Sequence, residues 1–181
     1  MATRNDPFPQ RLLAWIDALI SFSGRSIAWL VILMVLISFS VAILRYLFDI
    51  GWIALQESVT YLHALVFMLG IPYTLNRNRH VRVDILNHRF SPRTRAWVDL
   101  FGTLVLLLPV FITLFWLSLN YVTNAWLVLE ASPEAGGLPL VFLLKSLLLL
   151  MPLLMILQGI AWLLRNMLFL TGKIESSGIE Q

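Results

Sequence analysis

Charged residues divide this chain into four long uncharged stretches: 26–44, 58–76, 100–129 and 146–164. Three are 19 residues long and the third in chain order is 30. A helix needs roughly 20 apolar residues to cross a hydrocarbon core of about 30 Å. Inside lipid every backbone amide must be satisfied within the segment or by a closed barrel, so stretches of this length are helices. The expected architecture is all-α: a four-span integral membrane protein with little chain left for chemistry in water.

Composition agrees. Of 181 residues, 59% are hydrophobic and 13% charged, against about 25% charged in a soluble domain. Without cysteine the chain has no disulfide, thiolate metal site or cysteine nucleophile. The net charge of +3 is not a nucleic-acid signal, because the cations are segregated along the chain. Lys and Arg number three before the first stretch, six between the second and third, and two after the fourth. The first and third connections hold one each, so alternate sides carry eleven against two. Basic residues collect in cytoplasmic loops. Both termini and the 77–99 loop are therefore expected in the cytoplasm, with 45–57 and 130–145 outside.

Three regions are expected: an interfacial segment at 1–25, a transmembrane domain at 26–171 with spans near 26–44, 58–76, 100–129 and 140–164, and a polar tail at 172–181. In the first, Leu12, Leu13, Trp15, Ile16, Leu19 and Ile20 recur at helical spacing. That stripe suits a short amphipathic N-terminal helix lying on the inner leaflet, the alternative being a first span that begins early. Trp52 and Trp126 fall at the outer span ends, and Trp29, Trp97 and Trp162 toward the inner ones, as in an interfacial aromatic belt. Pro72 is expected to kink the second span. The third, at about 45 Å, has to tilt, protrude or bend at Pro109. Ser132-Pro133, Gly136-Gly137 and Pro139 give the last outer loop its turn chemistry, with Pro139 suited to the first turn of the fourth span.

Few residues are candidates for a site. Glu57 enters the second span, where a carboxylate suits the helix N-terminus or a cap or ion pair shared with another chain. His63 lies deeper and is expected to pair with a hydroxyl or carbonyl between helices. Haem ligation would want a second buried histidine, and His80 and His88 fall in the basic loop. Asn120 and Asn124, one turn apart, call for a face against protein or the interface. In the inner loop, Arg79, His80, Arg82 and Asp84 suit anionic headgroups or a partner surface. His80 and Asp84 alone do not make a metal site. No nucleophile–base pair, phosphate loop or metal spacing appears, and mid-span charge is lacking, so neither an enzyme nor a self-sufficient transporter is indicated.

The run 52–86, WIALQESVTYLHALVFMLGIPYTLNRNRHVRVDIL, resembles the signature stretch of the small membrane subunit of TRAP transporters, the tripartite ATP-independent periplasmic transporters of bacteria and archaea. The resemblance rests on Trp52, Glu57, Gly70, His80, Val83 and Asp84 in that order, on SPEAGGLP in the outer loop, and on Gln158-Gly159. It implies a multi-pass inner-membrane protein without catalysis or cofactor of its own. Its implied partners are a large permease subunit holding the sodium and substrate sites, and a periplasmic substrate-binding protein. This chain would act as a stator and help receive the binding protein. The expected contacts are Trp52, Glu57, Gly70, Asn120, Asn124, Glu130, Glu134 and Lys145. Read without the resemblance, the residues also suit a self-contained four-helix anchor or a small homo-oligomeric transporter.

Overall fold

A computed structural model of the chain describes residues 7–76 and 90–172, with side chains from Arg11 onward. They form four helices: α1 (Pro7–Leu47), α2 (Ile53–Asn76), α3 (Pro92–Leu127) and α4 (Val141–Leu170). Each is long and apolar enough to cross a membrane. Among the described residues there is no strand.

The expected separate N-terminal helix is not separate. The amphipathic stretch and the first span form one uninterrupted helix of 41 residues. Gly24 and the neighbouring serines do not break it, because the Ser23 and Ser26 hydroxyls donate back to the carbonyls of Ile20 (2.8 Å) and Phe22 (3.1 Å). Most of the stripe packs on protein, although Trp15 stays exposed. Ile16 and Ile20 are buried with Ala161 of α4, and Leu12, Leu13, Tyr73 and Leu157 close around them. Gly24 permits the crossing with α2: a Cβ there would lie 2.0 Å from Cδ2 of Tyr73.

α2 runs through Pro72, which is buried. The Thr74 hydroxyl donates to the carbonyls of Gly70 (3.1 Å) and Ile71 (2.8 Å) beside it. α3 starts earlier than the uncharged stretch, on a Ser91 cap whose hydroxyl accepts from the Thr94 amide, with Pro92 opening the first turn. Its residues Thr103–Leu107 form a π-helical segment immediately before the α-helix resumes at Leu108. Pro109 explains that position: it lacks an amide hydrogen and its ring excludes a carbonyl one turn earlier, and a widened turn relieves both. Pro139 stands before α4 and not in its first turn, since Leu140 is the capping residue.

Packing is uneven. α4 touches all three other helices; α1 and α2 pair with each other, and α3 packs on α4. α3 makes no substantial contact with α1 or α2, so α4 is the shared centre of an open arrangement. In its most apolar stretch 39% of α4 is buried, against 6% for α3 and none for α1. Connections 48–52 and 128–140 lie at one end, here the hairpin end. Asn76 and the starts of α1 and α3 lie at the other, the terminal end.

Candidate functional site

At the hairpin end α3 finishes with Leu129 at φ 46°, a left-handed conformation normally given to glycine. The Glu130 amide donates to the Ala125 carbonyl (2.9 Å) and that of Leu129 to Trp126 (3.2 Å), closing the helix C-terminus. The chain then folds back on itself. Ser132 donates its amide to Leu138 (3.1 Å), Gly137 donates to Glu134 (3.0 Å), and the Glu134 amide reaches the Ser132 hydroxyl (3.2 Å).

Glu57, in the second turn of α2, sits at the centre of this loop. One carboxylate oxygen accepts from the Ser132 hydroxyl and the other from the Leu138 amide, at 2.7 Å. Both bonds are charge-assisted, and together they fix the loop at its two ends. Gly137 makes room for them. A Cβ there would stand 2.5 Å from Ser132 Oγ and 2.9 Å from Glu57 Oε1. Beside this latch, Lys145 of α4 pairs with Glu130 at 2.5 Å, and its ammonium lies 4.0 Å from the centre of the Tyr121 ring. Trp126 donates to Ser146 at 2.8 Å and packs edge-on against Phe142.

Below these groups an apolar groove of about 850 Å³ runs between α2 and α3 over α4, lined by Tyr61, Leu65, Phe115, Trp126, Leu147 and Leu150 among others. It exists because α2 and α3 do not meet. Further along α4, Leu107 and Leu108 at the π-helical bend crowd against Gly159.

The terminal end is tied differently. Asp17 of α1 accepts from Arg165 of α4 on one oxygen and from Asn76 of α2 on the other, the latter at 2.8 Å. Asn76 also donates to Gln158 of α4 at 3.3 Å. Gln158 is fully buried, so three helices share one network of charged and amide groups.

The sequence candidates are scattered over this framework. Glu57, Glu130 and Lys145 are brought together at the hairpin end as intrachain contacts, with Glu134 exposed at the loop tip. Trp52 is 59% exposed beside them. Asn120 and Asn124 are exposed on α3. Gly70 faces open space. His63 does not join helices: it is exposed on α2, its ring centre 4.5 Å from that of Phe67. Arg79, His80, Arg82 and Asp84 lie outside the described residues. Asp17, Asn76 and Arg165 were not expected as a group. The available signal was an aspartate inside an apolar stripe, which calls for a cationic partner near the same depth. Among the described residues no three His, Asp or Glu side chains gather as a metal site.

The fold is that of a long-helix, multi-pass membrane protein whose polar contacts tie its helices and loops together. The model of the DctQ component of tripartite ATP-independent periplasmic transporters matches residues 33–168, and the chain belongs to that family. It is thus a small membrane component of a TRAP transporter, in a family of transporter parts and not of catalysts. Comparison with curated proteins and comparison with solved structures each return no match.

Proposed function

We propose that this chain is the non-catalytic small permease subunit of a secondary-active, ion-gradient-driven importer of organic acids or similar solutes. It braces the large permease subunit in the bacterial or archaeal inner membrane and helps seat the periplasmic substrate-binding protein. The observation that carries this reading is the asymmetry of burial. α4 is the most buried of the four helices, with 39% of its most apolar stretch covered, while α3 presents Phe101, Leu106, Trp116 and Leu117 outward, each at least 66% exposed. A scaffold that mates with a second membrane subunit needs such a free, long, apolar helix, already held rigid on its inner side.

In this arrangement both termini and the basic 77–99 loop face the cytoplasm, where the arginines meet anionic phospholipids, and the hairpin end faces the periplasm. Sodium and substrate belong to the large subunit, and this chain supplies the fixed frame against which it moves. Separate and joint expression tests the assignment. The two membrane subunits are expected to co-purify as one species and to support uptake in proteoliposomes only together, and only with the binding protein. A chain that is monodisperse alone, ignores the large subunit and carries flux unaided would instead be a self-contained homo-oligomeric transporter.

A further inference from the structure

The hairpin end holds one carboxylate whose both oxygens are spent on a loop. Glu57 is 75 residues from Ser132 and 81 from Leu138 in sequence, so the contact fixes a shape that neither segment has locally. The loop's own hydrogen bonds, from Ser132 to Leu138, from Gly137 to Glu134 and from the Glu134 amide to the Ser132 hydroxyl, close the turn but do not tie it to a helix. The segment between them turns through Gly136 at φ 81° and leaves Pro133, Glu134, Ala135 and Gly136 exposed at the tip. Without an anchor on a helix such a turn samples many orientations, and a partner that recognises one of them pays the ordering entropy on each encounter.

We propose that Glu57 is a positioning residue for docking of the periplasmic binding protein: by gripping Ser132 and Leu138 it presents the 133–136 tip in a single preformed shape. This rests on the reading of the chain as the small subunit of a TRAP transporter. Glu57 itself does not touch the partner, because its oxygens are engaged within the chain. The tip does, with the Glu134 carboxylate as its one charge, so the matching surface on the binding protein is basic or amide-rich. Gly137 belongs to the same device, since the latch closes only where that position lacks a side chain.

The test uses the co-purified two-subunit complex in proteoliposomes under a sodium gradient, titrated with substrate-loaded binding protein. Glu57→Ala is expected to raise the KM for the binding protein about tenfold, the size of freeing roughly one ordered residue, with kcat within twofold of wild type. Glu57→Gln, which keeps one acceptor oxygen, falls in between. Should Glu57→Ala fail to assemble, Ser132→Ala carries the test, with a smaller KM increase in the same direction. A second readout needs no partner: in the full chain in detergent, a glutamate-specific protease should cut after Glu134 faster in Glu57→Ala and Ser132→Ala than in wild type. An unchanged KM, or a fall in kcat at constant KM, overturns the inference while a working wild-type complex leaves the family function intact. A wild-type chain that supports no uptake with its partners overturns both.

Discussion

The two ends of this molecule are fastened by opposite means. At the terminal end side chains from three helices hold one another: Asp17 from α1, Asn76 from α2, Gln158 and Arg165 from α4. At the hairpin end one side chain holds a loop, Glu57 taking a hydroxyl and a backbone amide from the 132–138 turn. The first arrangement fixes how helices cross and the second fixes the shape of a surface. A disturbance at the terminal end should therefore be felt by the whole fold, and one at the hairpin end by the loop alone.

The largest effect is expected from Asp17→Arg. It sets two guanidinium groups side by side and removes the acceptor for Asn76. Breaking a buried pair costs about 3–5 kcal/mol, and Asp17 and Arg165 keep 36% and 21% side-chain exposure, so a loss of about 3 kcal/mol is the fitting figure. Thermal unfolding in detergent measures it. The double variant Asp17→Arg with Arg165→Asp should regain most of the loss. If it regains none, the network is not what joins the helices and the contrast between the ends collapses.

Next comes Ile20→Ala, which opens a cavity where α1 meets α4. Ile20 is fully buried, and such truncations cost about 2 kcal/mol or more where the site cannot collapse. Ile32, on the same helix, is 52% exposed, and Ile32→Ala should change stability by a few tenths of that. Equal effects at the two positions would mean that the N-terminal part of α1 is not packed as described.

These two ends also differ in how legible they are in the sequence. The four helices were visible because hydropathy and charge report the cost of placing polar groups in lipid, and that cost is local. Their limits shifted at several ends: α1 absorbs the amphipathic stretch, α2 begins at Ile53, α3 reaches back to the Ser91 cap and α4 runs on to Leu170. Glu57 stood out as a charge at a span entrance, but its acceptance of Ser132 and Leu138 depends on how the chain returns. The Asp17–Arg165 pair spans 148 residues, a distance over which one sequence carries no pairing information. The open arrangement around α4 was hidden for a related reason. Lipid tails are as apolar as a neighbouring helix, so an exposed face and a packed one look alike in composition.

A smaller effect, of opposite sign, is expected from Leu129→Gly. Leu129 holds φ 46° at the end of α3 and is 62% exposed, so glycine relieves backbone strain while giving up little packing. A gain of about 1 kcal/mol fits the cost of a left-handed side-chain-bearing residue. No gain would show that the Leu129 side chain contributes as much as its left-handed backbone costs.

Smallest in global stability, and sharpest for the comparison, is Gly137→Ala. The added methyl would fall 2.5 Å from the Ser132 hydroxyl oxygen and 2.9 Å from a Glu57 oxygen, closer than side-chain atoms tolerate, so the latch has to open. The helices beneath make none of their crossings through this turn. The unfolding temperature should accordingly stay within a degree or two, a shift of a few tenths of a kcal/mol. Hydrogen exchange at the Leu138 amide should nevertheless rise, because its acceptor has been pushed away. Should Gly137→Ala lower the unfolding temperature as far as Ile20→Ala does, the loop would be part of the cooperative core. The hairpin end would then be fastening helices after all, by way of a backbone turn in place of side chains.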